Sequence, residues 1–185
     1  MSKYMGQIIV VDVESTCWPG TPPQGQESEI IEIGVCPLDV ASGQRLGRYS
    51  ILVRPERSTV SPFCTQLTTL TQEQVDSGIS FAEACARLKS KFASQQRVWA
   101  SFGDYDRRQF ERQCTSQNIR YPFGTRHLNV KTLFAIVQGL PHEVELDLAL
   151  QQSSLPLEGT HHRGDDDAWN IASLLSMLVL HARGA

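Results

Sequence analysis

Asp12 and Glu14 close an apolar run, Gln7-Ile8-Ile9-Val10-Val11-Asp12-Val13-Glu14, whose β-branched residues suit a strand buried on both faces. Side chains alternate along a strand, so the two carboxylates project from one face, ~7 Å apart along the backbone. No Lys or Arg lies within several residues on either side. Two like charges leaving an apolar strand together are costly unless something positive sits between them, and a divalent cation is the simplest candidate. The alternative is a strand that emerges into solvent at Asp12.

Two further clusters carry related chemistry. Gly103-Asp104-Tyr105-Asp106 falls where a short strand, Arg97 to Phe102, hands over to a helix beginning near Arg107. Asp104 as a helix N-cap and Asp106 as a complement to the helix dipole would account for these acids without any chemistry. His161-His162-Arg163-Gly164-Asp165-Asp166-Asp167 precedes an apolar-faced helix from Ala168 to Leu178. Three aspartates opening a helix suit its dipole, but the dipole does not require a histidine ahead of them. His162, five residues before Asp167, can lean over whatever that acid binds, which is the geometry of a base beside a metal.

The elements that must position these groups follow from pattern and turn chemistry. Ile30 to Val35 and Leu46 to Val53 read as strands joined by a turn from Asp39 to Gly43, an antiparallel hairpin beside the first strand. Between Glu14 and the hairpin, Pro19-Gly20-Thr21-Pro22-Pro23 forces a loop. Trp18 at its start either covers a substrate or packs against the core. Pro55 and Pro62 bracket an irregular stretch, Thr71 to Val75 has the capping-box pattern of a short helix, and Ser80 caps a helix with Phe81, Ala84, Cys85, Leu88 and Phe92 on one face. His127 to Val130 suits a last strand and Lys131 to Val137 a helix, with helical spacing resuming at Leu146, Ala149 and Leu150.

A length of 185 residues suits one domain over positions 1–185, with no repeat or low-complexity linker to divide it. The formal net charge of -3 argues against a broad electrostatic grip on duplex nucleic acid and leaves room for a small local site. Five cysteines, widely spaced and never in a Cys-x-x-Cys arrangement, indicate neither a disulfide framework nor a zinc site, and a reducing cytoplasm fits best. No stretch reads as a signal peptide or is long and apolar enough to span a membrane.

Taken together, Asp12-x-Glu14, Gly103-Asp104-Tyr105-Asp106 after a strand, and His162-x-x-x-x-Asp167 at a helix start resemble the three-part signature of the DEDDh-type 3′→5′ exonucleases. The likeness is closer to the branch that trims RNA 3′ ends, the histone-mRNA and RNA-interference-related exonucleases and their bacterial KapD-like relatives. It is carried by Asp12-Val13-Glu14-Ser15-Thr16-Cys17-Trp18, by Phe63-Cys64-Thr65-Gln66-Leu67-Thr68 running into Leu70 to Val75, and by Gly164-x-Asp166-Asp167-x-x-Asn170-Ile171-Ala172. Any one motif is weak, whereas three in order at suitable separations are specific. Asp165 departs from the pattern, standing where those relatives often carry an apolar residue, and the sequence leads us to expect no extra nucleic-acid-binding domain.

The resemblance implies an α/β, RNase H-like fold: a mixed sheet of about five strands with helices on both faces. It implies that Asp12, Glu14, Asp106 and Asp167 are metal ligands and that His162 takes the proton from an attacking water. Acid oxygens are the ligands Mg²⁺ or Mn²⁺ prefers, and two ions would leave room for waters and a substrate phosphate. The substrate would be single-stranded nucleic acid with a free 3′ end, RNA favoured over DNA, and the products nucleoside 5′-monophosphates. Candidate substrate contacts are Val13, Lys131, Phe102 and Tyr105, the last two as stacking faces or else as ordinary core aromatics. Arg107, Arg163 and Lys131 either meet phosphates or remain solvated surface charges. No membrane contact and no protein partner is indicated. Two other classes share these residues: an exonuclease on DNA ends or short oligonucleotides, and a catalytically silent RNA-binding or protein-binding module.

Overall fold

A computed structural model describes residues 5–184; of the expected domain over 1–185, residues 1–4 and 185 lie outside the described residues. The apolar run becomes strand β1 (Gln7–Ser15), flanked by β2 (Ile30–Asp39) and β4 (Val98–Ser101) in one five-stranded sheet of order β3-β2-β1-β4-β5, with β3 at Tyr49–Leu52 and β5 at His127–Asn129. The β1–β2 and β2–β3 pairs are antiparallel and the β1–β4 and β4–β5 pairs parallel. This is the mixed sheet expected. Being central, β1 is covered on both sides. Ile9, Val11 and Val13 face a core built from helices α3 (Phe81–Phe92) and α4 (Tyr105–Ser116). Ile8 and Val10 face a second core built from α5 (Val130–Val137), α6 (Leu146–Gln152) and α7 (Gly164–His181).

Asp12 and Glu14 continue the even-numbered face of β1, so they point toward α7 just past the apolar core. On β2 the residues directly across from them are Gly34 and Glu32. Gly34 is small for a reason: a Cβ there would lie 1.8 Å from the Gly164 carbonyl oxygen, so the first turn of α7 rests directly on the β2 backbone. Replacing Gly34 by Ala should push that turn outward and destabilise the fold by ~3 kcal/mol, the upper part of the usual range for overpacking a rigid backbone contact. Urea unfolding measures this, and a variant with an unchanged midpoint would show that α7 can shift freely.

Several elements differ from their expected bounds. A helix not expected from the sequence, α1 (Pro62–Thr68), follows directly on the irregular stretch between Pro55 and Pro62. Ser61 is its N-cap, accepting from the Cys64 N–H at 3.0 Å, and Pro62 takes a first-turn position, where its missing N–H costs nothing. The capping box at Thr71 is present and opens α2 (Gln72–Asp76). Strand β3 starts at Tyr49 rather than Leu46 because Arg45 and Arg48 turn away toward α7: Arg45 pairs with Glu158 at 2.9 Å, Arg48 with Asp166, and both lie over the Trp169 ring. Strand β5 stops at Asn129, whose side chain caps α5 at 3.1 Å from the Thr132 N–H. Asp104 occupies the N-cap position of α4 but makes no capping hydrogen bond; its carboxylate pairs with Arg107 at 3.2 Å. Helix α7 begins at Gly164, earlier than Ala168, which places all three aspartates in its first turn.

Candidate active site

The end of β1, the first turn of α4, the first turn of α7 and the loop before it converge on one cleft of about 340 Å³, lined among others by Asp12, Glu14, Asp106, His161, His162 and Asp167. Asp12, Glu14 and Asp167 each present a carboxylate oxygen within 4.8 Å of the others. Glu14 and Asp167 are buried and Asp12 half-buried. Among the described residues, neither Asp12 nor Glu14 has a Lys or Arg ion-pair partner, and Asp167 is paired only with His161. Burial, reinforced by Asp167, Glu32 and Asp106, pushes the Glu14 carboxyl up to about 8. Burial and then the Asp106, Glu14 and Asp167 charges hold Asp12 well above the usual carboxylate range. Three clustered acid oxygens with no fixed cation are a donor set suited to a hard divalent metal ion.

Asp106 is tied differently. It is buried, and its Oδ1 accepts the Val13 N–H at 2.9 Å, so one oxygen is engaged by the backbone of β1. It lines the cleft but stands outside the group of three, and burial raises its carboxyl to about 7 despite that hydrogen bond. The same bond occupies the Val13 N–H, while the Val13 side chain belongs to the core.

These raised values predict an inverted pH response of stability. Glu14 and Asp106 ionise in the unfolded chain near their ordinary values of 4.5 and 3.8, and in the fold at about 8 and about 7. Between those limits the unfolded state holds fewer protons, so stability falls as pH rises. His127 and His162, held below their ordinary value, oppose this, and His161, held above it, adds to it. In chelator the melting temperature should therefore drop from pH 5 to pH 8, and Mn²⁺ should restore it most strongly at pH 8. A flat or rising curve in chelator would contradict the electrostatic picture of the cluster.

The two histidines are held differently. His161 Nδ1 lies 3.1 Å from Asp167 Oδ1, whereas His162 offers Asp167 Oδ2 its backbone N–H at 2.8 Å. The rings stack at 3.9 Å, and His162 takes a left-handed backbone, φ 63°. The Asp167 bond raises the His161 imidazole, while burial and the adjacent His161 lower that of His162. His162 is thus the imidazole that stays neutral and free to accept a proton near pH 7. The loop is fixed from below: Asp166 accepts the Thr160 N–H at 2.7 Å, and the buried Asn170 amide bonds both the N–H and the C=O of Glu158 at 3.0 Å.

Of the other expected contacts, Phe102 and Tyr105 line the cleft, and Tyr105 is 56% exposed. Lys131 stands at the cleft edge, its Nζ 2.7 Å from Glu145 and 5.7 Å from the centroid of the Phe102 ring, both of which line the cleft. Arg107 pairs with Asp104, and Arg163 is no solvated charge but a partner of buried Glu32. Sequence reasoning missed Leu67, Cys17 and Leu146 on the cleft wall, and Glu32 beneath it. The Ser61-Pro62 pair, a helix-start signal, would have exposed the helix that carries Leu67. A larger depression of about 570 Å³ lies along α4 near Glu111, Cys114 and Tyr121, but it holds no comparable grouping of acids and histidines.

The sheet order and the helices on its two faces define an RNase H-like fold, shared with solved nuclease structures. The nuclease domain of 3'hExo, a DEDDh family member bound to rAMP, superimposes with a TM-score of 0.87 at 26% identity, over 98% of this chain and 95% of that one. A 3'-exonuclease in specific recognition of the histone mRNA stem-loop 3' end gives 0.85 at 26% identity, over 96% of this chain and 65% of that one. By sequence, human 3'-5' exoribonuclease 1 is 29% identical over 182 residues, 93% of this chain and 52% of the human protein. The chain thus spans about half the length of that curated relative. An exonuclease family model (RNase_T) matches residues 9–175. The chain belongs to this exonuclease family.

Proposed function

We propose that this protein is a metal-dependent 3′→5′ exonuclease acting on single-stranded nucleic acid, RNA in preference to DNA, and releasing nucleoside 5′-monophosphates. The observation that carries the reading is the convergence of Asp12, Glu14 and Asp167, unpaired with any Lys or Arg among the described residues, on a cleft that also holds a neutral His162. Two Mg²⁺ or Mn²⁺ ions would be held by Asp12, Glu14 and Asp167, with Asp106 supplying its remaining oxygen and charge. When bound, such ions lower the pKa of an attacking water and stabilise the leaving 3′ oxygen. His162 takes the proton from that water, and His161, bonded to Asp167, keeps the acid oriented. Tyr105 and Phe102 offer stacking faces for the terminal base, at ~1–3 kcal/mol per base.

The preference for RNA is supported by the names of the relatives, exoribonucleases and a structure with histone mRNA. A panel of 5′-labelled single-stranded RNA, single-stranded DNA and duplexes tests it. Faster shortening of single-stranded RNA is expected. Equal rates on DNA would make the enzyme a general 3′ exonuclease, and binding without hydrolysis in Mn²⁺ would make it a silent module.

A further inference from the structure

Glu32 is fully buried and sits directly opposite Glu14 across the β1–β2 ladder. Like charges so placed repel, and a buried carboxylate is costly unless fully bonded. Glu32 is fully bonded: Oε2 accepts Arg163 Nε at 3.0 Å and the Gly164 N–H at 2.9 Å, and Oε1 accepts Arg163 Nη2 at 2.9 Å and the Ser50 hydroxyl. Although burial favours its neutral form, these bonds outweigh it and hold Glu32 ionised. With its oxygens so engaged it is not part of the group of acids that converge in the cleft. What it grips is the one-residue link between His162 and helix α7. Arg163 follows His162, Gly164 opens the helix against Gly34, and Asp167 lies three residues further on.

We infer that the Glu32–Arg163 pair is a positioning device: it docks the start of α7 onto β2 so that Asp167 and His162 meet Asp12 and Glu14, and it withholds Arg163 from substrate phosphate. The inference rests on the metal-dependent reading of the site. Arg's planar fork matches both carboxylate oxygens at once, which a lysine at 163 would not reproduce.

Arg163→Ala separates positioning from charge. Removing a nearby cation should by Coulomb attraction alone tighten Mn²⁺ binding, because the site becomes more negative. Lost positioning should weaken it about tenfold, the lower end of what outer partners of metal ligands contribute. Because Arg163→Ala leaves Glu32 unpaired and the variant can fail to fold, Glu32→Gln/Arg163→Ala is made alongside it; that pair of changes leaves the net charge unchanged and removes the buried anion.

Mn²⁺ affinity is measured by titration calorimetry, with kcat and KM on single-stranded RNA and the melting temperature recorded in parallel. The expected result is Mn²⁺ binding about tenfold weaker and kcat at least tenfold lower, with KM within a few-fold, in every variant that is folded, and partial recovery of Arg163→Ala by added guanidinium. A lower melting temperature with unchanged Mn²⁺ affinity and kcat would make the pair merely structural and overturn the inference. Tighter Mn²⁺ binding, or a raised KM at constant kcat, would also overturn it, the latter by making Arg163 a phosphate contact. Wild-type protein that neither binds Mn²⁺ nor cleaves RNA would overturn the functional reading itself, and the inference with it.

Discussion

Asp12→Asn and Asp167→Asn should each abolish turnover, by about 10³-fold or more on the scale of losing a group that stabilises transition-state charge, while Asp12→Asn also makes the metal-free protein more stable. Both acids present oxygens to the same 4.8 Å grouping, and losing either leaves two carboxylates to hold what three held. The stability gain has the opposite sign to most buried substitutions because the native acids repel: Asp12 is raised by burial and by the Asp106, Glu14 and Asp167 charges. Relieving part of that repulsion is worth ~1 kcal/mol, about 2–4 °C for a chain of this size. Activity assays and thermal melts in chelator read the two effects separately. A folded variant with near wild-type activity would show that its acid serves the helix start or the surface only.

His162→Ala should cost roughly 10²-fold or more in kcat, the scale of losing a general base, and His161→Ala severalfold at most. The sequence argument is spacing, since 162 plus 5 gives 167, the final acid of the run. The structure adds a chemical distinction. Both line the cleft, but His161 has its Nδ1 committed to Asp167 and is raised by it, while His162 is lowered by burial and by His161. A base must be unprotonated, so the acid limb of the kcat profile should have its inflection below the ordinary histidine value of ~6.5 and should vanish in His162→Ala. Equal losses in the two variants, or the larger loss in His161→Ala, would place the base one position earlier.

The central strand was legible because its continuous apolar run ends abruptly in two acids, a pattern that needs no tertiary information. The Thr71 and Ser80 helices were legible from their caps and from the spacing of Phe81, Cys85, Leu88 and Phe92. Helix α1 was not: at seven residues it is too short to show a period, and only Ser61-Pro62 marks its start. The role of Glu32 depends on the antiparallel register that sets it across from Glu14, and the pairing of Lys131 with Glu145 depends on how α5 and α6 meet. Neither is encoded locally. The split between His161 and His162 depends on a left-handed backbone at a non-glycine residue, which side-chain spacing cannot reveal. Asp106 was found by its turn, but its separation from the other three acids follows from the Val13 N–H, a contact 93 residues distant in sequence.

One measurement tests metal-dependent 3′ exonucleolysis most directly: 5′-labelled single-stranded RNA incubated with the purified protein in Mg²⁺ or Mn²⁺, with and without chelator, beside a circular RNA of the same sequence. Because the clustered acids have no Lys or Arg ion-pair partner among the described residues and His162 lines the same cleft, the linear RNA should shorten stepwise from its 3′ end only when the metal is present, and the circle should stay intact. Cleavage that persists in chelator, or cuts in the circular RNA, would contradict it.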